Sequence, residues 1–253
     1  MNIFRNVVFV AALAGLCAGI LMAAMQAYAT VPLILQAEAY EQAGGGHHHH
    51  AAAAEGDGAA ATEAHSHDAV AAPAEEEWEP ADGFQRTFFT VLANIVTAVG
   101  FALLLVAASE LAGGISGWRQ GVMWGLAGFA VFTLAPGLGL PPELPAMPAA
   151  DLTARQIWWI GTAAATAAGL ALIAFRHSLP LAIAGVALIV APHLIGAPQP
   201  VDYETPIPGN LHHDFVVAVT VTNLVFWVAL GALAGFFRKR IAIPSGEAQE
   251  GLA

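Results

Sequence analysis

The histidines are the residues best suited to chemistry in this chain. His47, His48, His49 and His50 are consecutive, and His65 and His67 flank a single serine. His177, His193, His212 and His213 follow far downstream. Neutral imidazole is a good ligand for divalent cobalt, nickel, copper and zinc. Glu55, Asp57, Glu63 and Asp68 are interspersed with the first group and attract cations. A flexible segment of this composition can wrap a metal ion. Its geometry is not preformed, so selectivity would follow the general affinity order of the metals. The stretch also reads as a plain low-complexity spacer. A leftover purification tag is the weaker alternative, because the four histidines are internal and sit among matching alanine, glutamate and histidine residues.

A second set lies further on. His193 adjoins Pro192 within the end of an apolar run, and an ionisable group at membrane depth is a functional candidate. Asp202 and Glu204 follow in a proline-rich stretch, then His212, His213 and Asp214. Convergence of these groups would make a mixed nitrogen and oxygen metal site, although their spacing matches no strict ligand motif. The competing reading has His193 bonding a neighbouring helix and Asp214 capping the helix it opens. Glu38 and Glu41 read either as carboxylates at a pore entrance or as part of an amphipathic turn at the membrane interface. Glu143, among Pro141, Pro142, Pro145 and Pro148, is a weaker candidate on a rigid turn.

The elements that carry these residues must be membrane helices. The chain is 57% hydrophobic and 11% charged, against about 25% charged in soluble domains. Runs of about 18 or more apolar residues span a bilayer as helices. Six runs qualify: Val7–Met25, Thr87–Ser109, Gln120–Leu138, Gln156–Phe175, Ser178–Ile195 and Phe215–Phe237. The fifth is marginal, with Pro180 near its start and Pro192 near its end. The predicted fold is an all-α bundle of about six transmembrane helices with a disordered, acidic, histidine-rich outer loop. The segments are 1–30 for the first helix, 31–85 for that loop, 86–240 for a five-helix bundle and 241–253 for a tail. The net charge of −11 is local, since eleven of the 19 acids lie between Glu38 and Asp82.

Lysine and arginine favour the cytoplasmic side. Six helices put Arg5, Arg119, Arg176, Arg238, Lys239 and Arg240 on one side and only Arg86 and Arg155 on the other. Both termini are therefore expected inside and the histidine-bearing loops outside. The first run also fits a secretory signal ending at Ala27-Tyr28-Ala29. Its 19 apolar residues are long for that role, so retention is the preferred expectation.

Several functions are disfavoured. Cys17 is the single cysteine, so there is no internal disulfide framework. The chain has no phosphate-binding loop, no H-E-x-x-H and no G-x-S-x-G, and no enzymatic activity is expected. Arg238-Lys239-Arg240 reads as a topogenic cluster rather than a nucleic-acid patch. Polar residues able to line a path through the bundle are few: Gln26, Asn94, Thr97, Thr133, Thr162, Thr166, Thr220, Thr222 and Asn223. Their scarcity suggests that a partner or a homo-oligomer completes any path.

Specific blocks add a resemblance. They are Ala18-Gly19, Gln26, Pro32, Glu38-Ala39-Tyr40-Glu41, Trp78, Asp82-Gly83, Leu134–Pro145, Arg155-Gln156, Trp158-Trp159 and Pro192–Pro198. Over nearly its whole length the chain resembles the predicted cobalt transporter subunit family CbtA, with a variable histidine- and acid-rich insert. The resemblance implies a bacterial inner-membrane protein, a small histidine-rich single-span companion, and a link to cobalt uptake for cobalamin synthesis. It does not assign metal ligands. The expected function is a subunit of a divalent-metal uptake permease for Co²⁺, with Ni²⁺ suiting the same ligands and no organic cofactor. The alternative is a membrane metal sensor or chaperone scaffold that binds without transporting.

Overall fold

The structure is a computed structural model that describes residues 2–45, 80–81, 83–176 and 178–241. His47–His50, His65 and His67 lie outside the described residues, as does the low-complexity stretch around them. Among the described residues the regular structure is all helical. The helices are α1 (Asn2–Ala29), α2 (Val31–Gly45), α3 (Phe84–Leu111), α4 (Trp118–Phe129), α5 (Ala135–Gly139), α6 (Leu152–Phe175), α7 (Leu179–Ile195) and α8 (Gly209–Ile241). A π-helical turn, Ala130–Leu134, joins α4 to α5 in one rod.

Five stretches are long and apolar enough to cross a membrane: Phe4–Ala29, Phe84–Leu111, Trp118–Gly139, Leu152–Phe175 and Gly209–Ile241. The sequence pointed to six. The fifth run forms α7, which has only 17 residues and is about 25 Å long at 1.5 Å per residue. Even so, α7 runs back along α6 as an antiparallel hairpin. Gly169 meets Gly185 midway, and the Trp158 and His193 rings meet near the α6 start. The chain therefore returns to the end from which α6 set out. Asn6 of α1 and Arg238 of α8 line the same cavity, together with Glu110. The N-terminal part of α1 and the C-terminal part of α8 thus share one end of the bundle.

Three local differences from the sequence reading have clear causes. Residues 31–45 form a helix rather than the start of an outer loop. Pro32 has no amide to continue α1 but suits the first turn of a new helix. Ala37, with Leu33 and Ile34, then buries against Leu144, Ile207, Leu211 and Phe215. The third run ends at Gly139 rather than at the expected Leu138, since Pro136 does not break it. The helix widens to i→i+5 bonding, with the Ala135 amide donating to the Ala130 carbonyl, and so carries on to Gly139. Helix α8 begins at Gly209, so His212, His213 and Asp214 lie inside it.

Lipid provides no hydrophobic drive between helices, so close packing of small residues holds them together. In α1, Val10, Ala11, Ala14, Ala18 and Met22 are buried in the main core, and Gly15 and Gly19 sit directly against the α3 backbone at Val99 and Ile95. Cleavage after Ala29 would strip α3 and α8 of these contacts. The π-helical turn carries Phe132, whose ring packs with Phe101, Trp159 and Trp227. The Trp227 indole donates to Thr133 Oγ1 at 3.2 Å. Many large apolar side chains point outward, among them Leu104, Ile160, Ile183 and Val221, as lipid-facing positions should.

Asn94 of α3 donates to Gln26 Oε1 of α1 at 2.7 Å, in a partly buried position. Interhelical bonds of this kind contribute about 0.6–2 kcal/mol in membranes. Asn94→Leu is expected to lower the unfolding free energy in detergent by about 1 kcal/mol. An unchanged thermal midpoint would show that this bond carries no net stability.

Candidate functional site: the histidine-bearing end of the bundle

Every described histidine lies at the end opposite the termini. There the α1–α2 junction, the α3 start, the α5–α6 loop, the α7 end and the α8 start come together. The loops are fastened to one another. Leu144, Ile207 and Leu211 are buried in one cluster with Ala37 of α2, and the Thr205 hydroxyl donates to the Ala146 carbonyl at 3.1 Å.

Two cations at this end are neutralised. Arg86 at the α3 start binds Glu38 of α2 through both guanidinium amines, at 3.3 and 2.5 Å. Arg155 of α6 pairs with Glu143 at 2.9 Å. Glu38 is thus engaged by an arginine rather than paired with Glu41 at an entrance, while Glu41 is exposed. Asp151 caps α6 by accepting from the Ala154 amide. The exposed carboxylates of Asp202, Glu204 and Asp214 leave this end acidic.

The histidines are separated by their helices. His193, in the last turn of α7, is half-buried with its ring edge-on to Trp158, centroids 6.0 Å apart. His212 faces the α5–α6 loop, its Nε2 3.2 Å from the Pro142 carbonyl. His213 and Asp214 turn the other way, into an open groove with Ala29, Val217, Val221 and Thr222. Neighbouring residues on a helix point about 100° apart, so His212 and His213 cannot address one ion together without distortion. Asp202 accepts from the Glu204 amide in its own loop. Among the described residues no three His, Cys, Asp or Glu side chains come together as a metal site. The structure does not bring His193, Asp202, Glu204, His212, His213 and Asp214 together into one N/O site.

The opposite end is basic. Arg5, Arg119, Arg176, Arg238, Lys239 and Arg240 all belong to helix ends on that side. Arg238 donates to both carboxylate oxygens of Glu110, at 2.7 and 3.1 Å, and to the Ile115 carbonyl at 2.6 Å.

Between the two ends, α6 carries a polar stripe. The Trp158 indole nitrogen and the Thr162 and Thr166 hydroxyls are buried without a hydrogen-bond partner. Thr162 and Thr166 were among the path candidates legible in the sequence. Trp158, Glu110 and Arg238 were missed, although the i, i+4, i+8 spacing of Trp158, Thr162 and Thr166 was available as a signal.

Residues 4–239 match the family described as Probable cobalt transporter subunit (CbtA). The chain belongs to this family. No curated protein and no solved structure matches it significantly. Membership makes the chain a membrane-located transporter subunit of the cobalt class, which works with a partner inside a transporter complex. Within this CbtA chain, several blocks that carried the resemblance have structural roles. Gly19 seats α1 on α3, Glu38 holds Arg86, and the Trp158 ring packs over Gly139.

Proposed function

We propose that the chain is an inner-membrane subunit of a divalent-cation uptake transporter, with Co²⁺ as cargo and Ni²⁺ accepted by the same ligand types. The histidine-bearing end faces outward, and both termini face the cytoplasm. The carrying observation is that all three described histidines share the acidic end of the bundle, remote from Arg238-Lys239-Arg240, in a chain of the CbtA family. Lysine and arginine concentrate on the cytoplasmic side, so the basic end points inward. His47–His50, His65 and His67, with the acids around them, raise the local ion concentration as a capture segment. Ions pass from there to His193, His212, His213 and the carboxylates of Asp202, Glu204 and Asp214. Because these groups are separated, capture is sequential rather than by one cage. A small histidine-rich single-span companion, or a second copy of the chain, completes the ligand set. The subunit moves ions and performs no catalysis.

The test is cobalt accumulation in cells expressing the chain, with and without the companion. Replacing His193, His212 and His213 by Ala together is expected to reduce accumulation to that of cells lacking the chain. Deleting residues 44–68 is expected to weaken accumulation only at low external cobalt. No accumulation in any strain, with the protein confirmed in the membrane, would overturn the permease reading.

A second reading is favoured by two observations. No described cluster of three ligating side chains exists, and Glu38, Glu110 and Glu143 are each held by an arginine. A metal sensor or chaperone scaffold needs outer binding without a path across. It predicts cobalt binding to the purified protein with no flux in reconstituted vesicles.

A further inference from the structure

The α6–α7 hairpin is an appendage to the rest of the bundle. Helix α6 packs principally on α7 and meets the other helices through the π-helical turn and α5. The α1–α3 and α4–α8 pairs, joined by α1 against α8, form the main body. A seam therefore runs between body and hairpin, starting at His193.

The unpartnered polar atoms lie along this seam. Trp158 packs against Gly139 of α5 and approaches His193 of α7. Thr162 and Thr166 follow at one-turn intervals on the same face, and Gly169 then meets Gly185 and Ile189 of α7. Thr162 is 0% exposed and Thr166 is 2% exposed. Their hydroxyls find no partner among the protein's atoms, whereas the Thr220 and Thr222 hydroxyls both donate to carbonyls of their own helix. A buried polar group left unpaired costs about 1–3 kcal/mol. Three in one line over about two helical turns inside a membrane bundle call for a common occupant.

The donor set identifies that occupant. An indole N–H donates only and cannot ligate a cation, whereas hydroxyls both donate and accept. Together they fit water oxygens and not a bare metal ion. We propose that the seam between α6, α7 and the π-helical turn holds a file of water, and that the divalent cation crosses along it with part of its water shell. The route begins at His193 and Trp158 and passes Thr162 and Thr166. It rests on the permease reading above and supplies that reading with a polar lining, which the high cost of bare charge transfer through lipid makes necessary.

The single native cysteine, Cys17, makes the test direct. In a Cys17→Ser background, single cysteines replace Thr162, Thr166, the outward-facing Ala164 and Ala168, and Ala149 in the exposed α5–α6 loop. Whole cells are treated with a membrane-impermeant cationic methanethiosulfonate reagent, with and without Co²⁺. Only a hydrated thiol ionises and reacts, so Thr162→Cys and Thr166→Cys are expected to be modified about tenfold faster than Ala164→Cys and Ala168→Cys. Co²⁺ is expected to slow the first pair and to leave Ala149→Cys unaffected. Reaction at Ala149→Cys with Thr162→Cys and Thr166→Cys no faster than the lipid-facing pair would overturn the proposal. Modification that Co²⁺ does not slow would overturn the seam as the ion route. Cobalt accumulation by unlabelled Cys17→Ser cells is measured alongside. Its absence refutes the permease reading, while accumulation with unreactive seam cysteines refutes only this route.

Discussion

Gly231→Leu is expected to leave little folded protein in the membrane. Helices α4 and α8 cross at a double glycine contact. A Cβ on Gly231 would overlap the Gly121 carbonyl oxygen and the Gly125 backbone, and a Cβ on Gly121 would overlap the Gly231 carbonyl oxygen. Gly125 and Gly235 extend the close approach on either side, against the Trp227 and Gly117 carbonyls. The obstructing atoms are backbone, so no rotamer change makes room. Overpacking a well-packed core costs about 1–3 kcal/mol, and forcing two whole helices apart lies above that range. Separation would also expose Trp227, which sits in the notch left by Gly128 and donates to Thr133. The readout is the yield of monodisperse protein in detergent and its thermal midpoint. Gly100→Ala and Gly161→Ala serve as controls, since a Cβ at either position meets nothing within 4 Å. They should match or slightly exceed the parent, because alanine is the better helix former by about 1 kcal/mol. Wild-type yield and midpoint for Gly231→Leu would mean that the α4–α8 crossing does not hold the bundle together.

The second large effect is expected at the basic end. Arg238 ties the end of α8 to the end of α3 through Glu110 and to the α3–α4 connection through the Ile115 carbonyl. Gly114 lies directly beneath the guanidinium, with φ of 80°. A side chain there would be strained and would overlap Arg238. Arg238→Ala leaves the Glu110 carboxylate without its cation. Removing one partner of a fully buried pair costs about 3–5 kcal/mol. The Arg238 and Glu110 side chains retain 27% and 29% exposure, so the expected loss is nearer 2 kcal/mol once water screening is allowed for. The paired variant Glu110→Gln with Arg238→Gln is expected to be more stable than Arg238→Ala alone, because no charge is stranded. Equal midpoints for Arg238→Ala and the parent would show that the clasp contributes nothing. A paired variant no more stable than the single one would show that the stranded Glu110 charge is not the source of the loss.

The spans were legible because each depends on a contiguous run of residues. The unbroken apolar length from Val7 to Met25 announces a membrane helix without reference to any other part of the chain. The basic character of one end was equally legible, since Arg238, Lys239 and Arg240 are neighbours and Arg5 adjoins the first run. The same local logic failed at two places. Residues 31–45 looked like the opening of a loop, because the surface that buries Leu33, Ile34 and Ala37 comes from residues more than a hundred positions later. Asp214 looked like the opening of the last helix, because the apolar run begins only at Phe215, whereas the helix starts at Gly209.

What the sequence by itself determined was thus the class of the molecule: an all-α membrane bundle with one basic end, resembling a cobalt transporter subunit. Tertiary structure alone decided which groups meet. Glu38 and Glu143 were read as cation-attracting and proved to be held by arginines, Glu38 by one 48 positions away. His212 and His213 were read as one site and proved to face different surroundings, the Pro142 carbonyl and the groove beside Ala29. Thr162 and Thr166 were two among nine polar candidates until their helix face, the hairpin seam and the neighbouring Trp158 set them apart. Hydrophobic length and charge are properties of a segment, whereas partnership depends on how helices distant in sequence pack side by side.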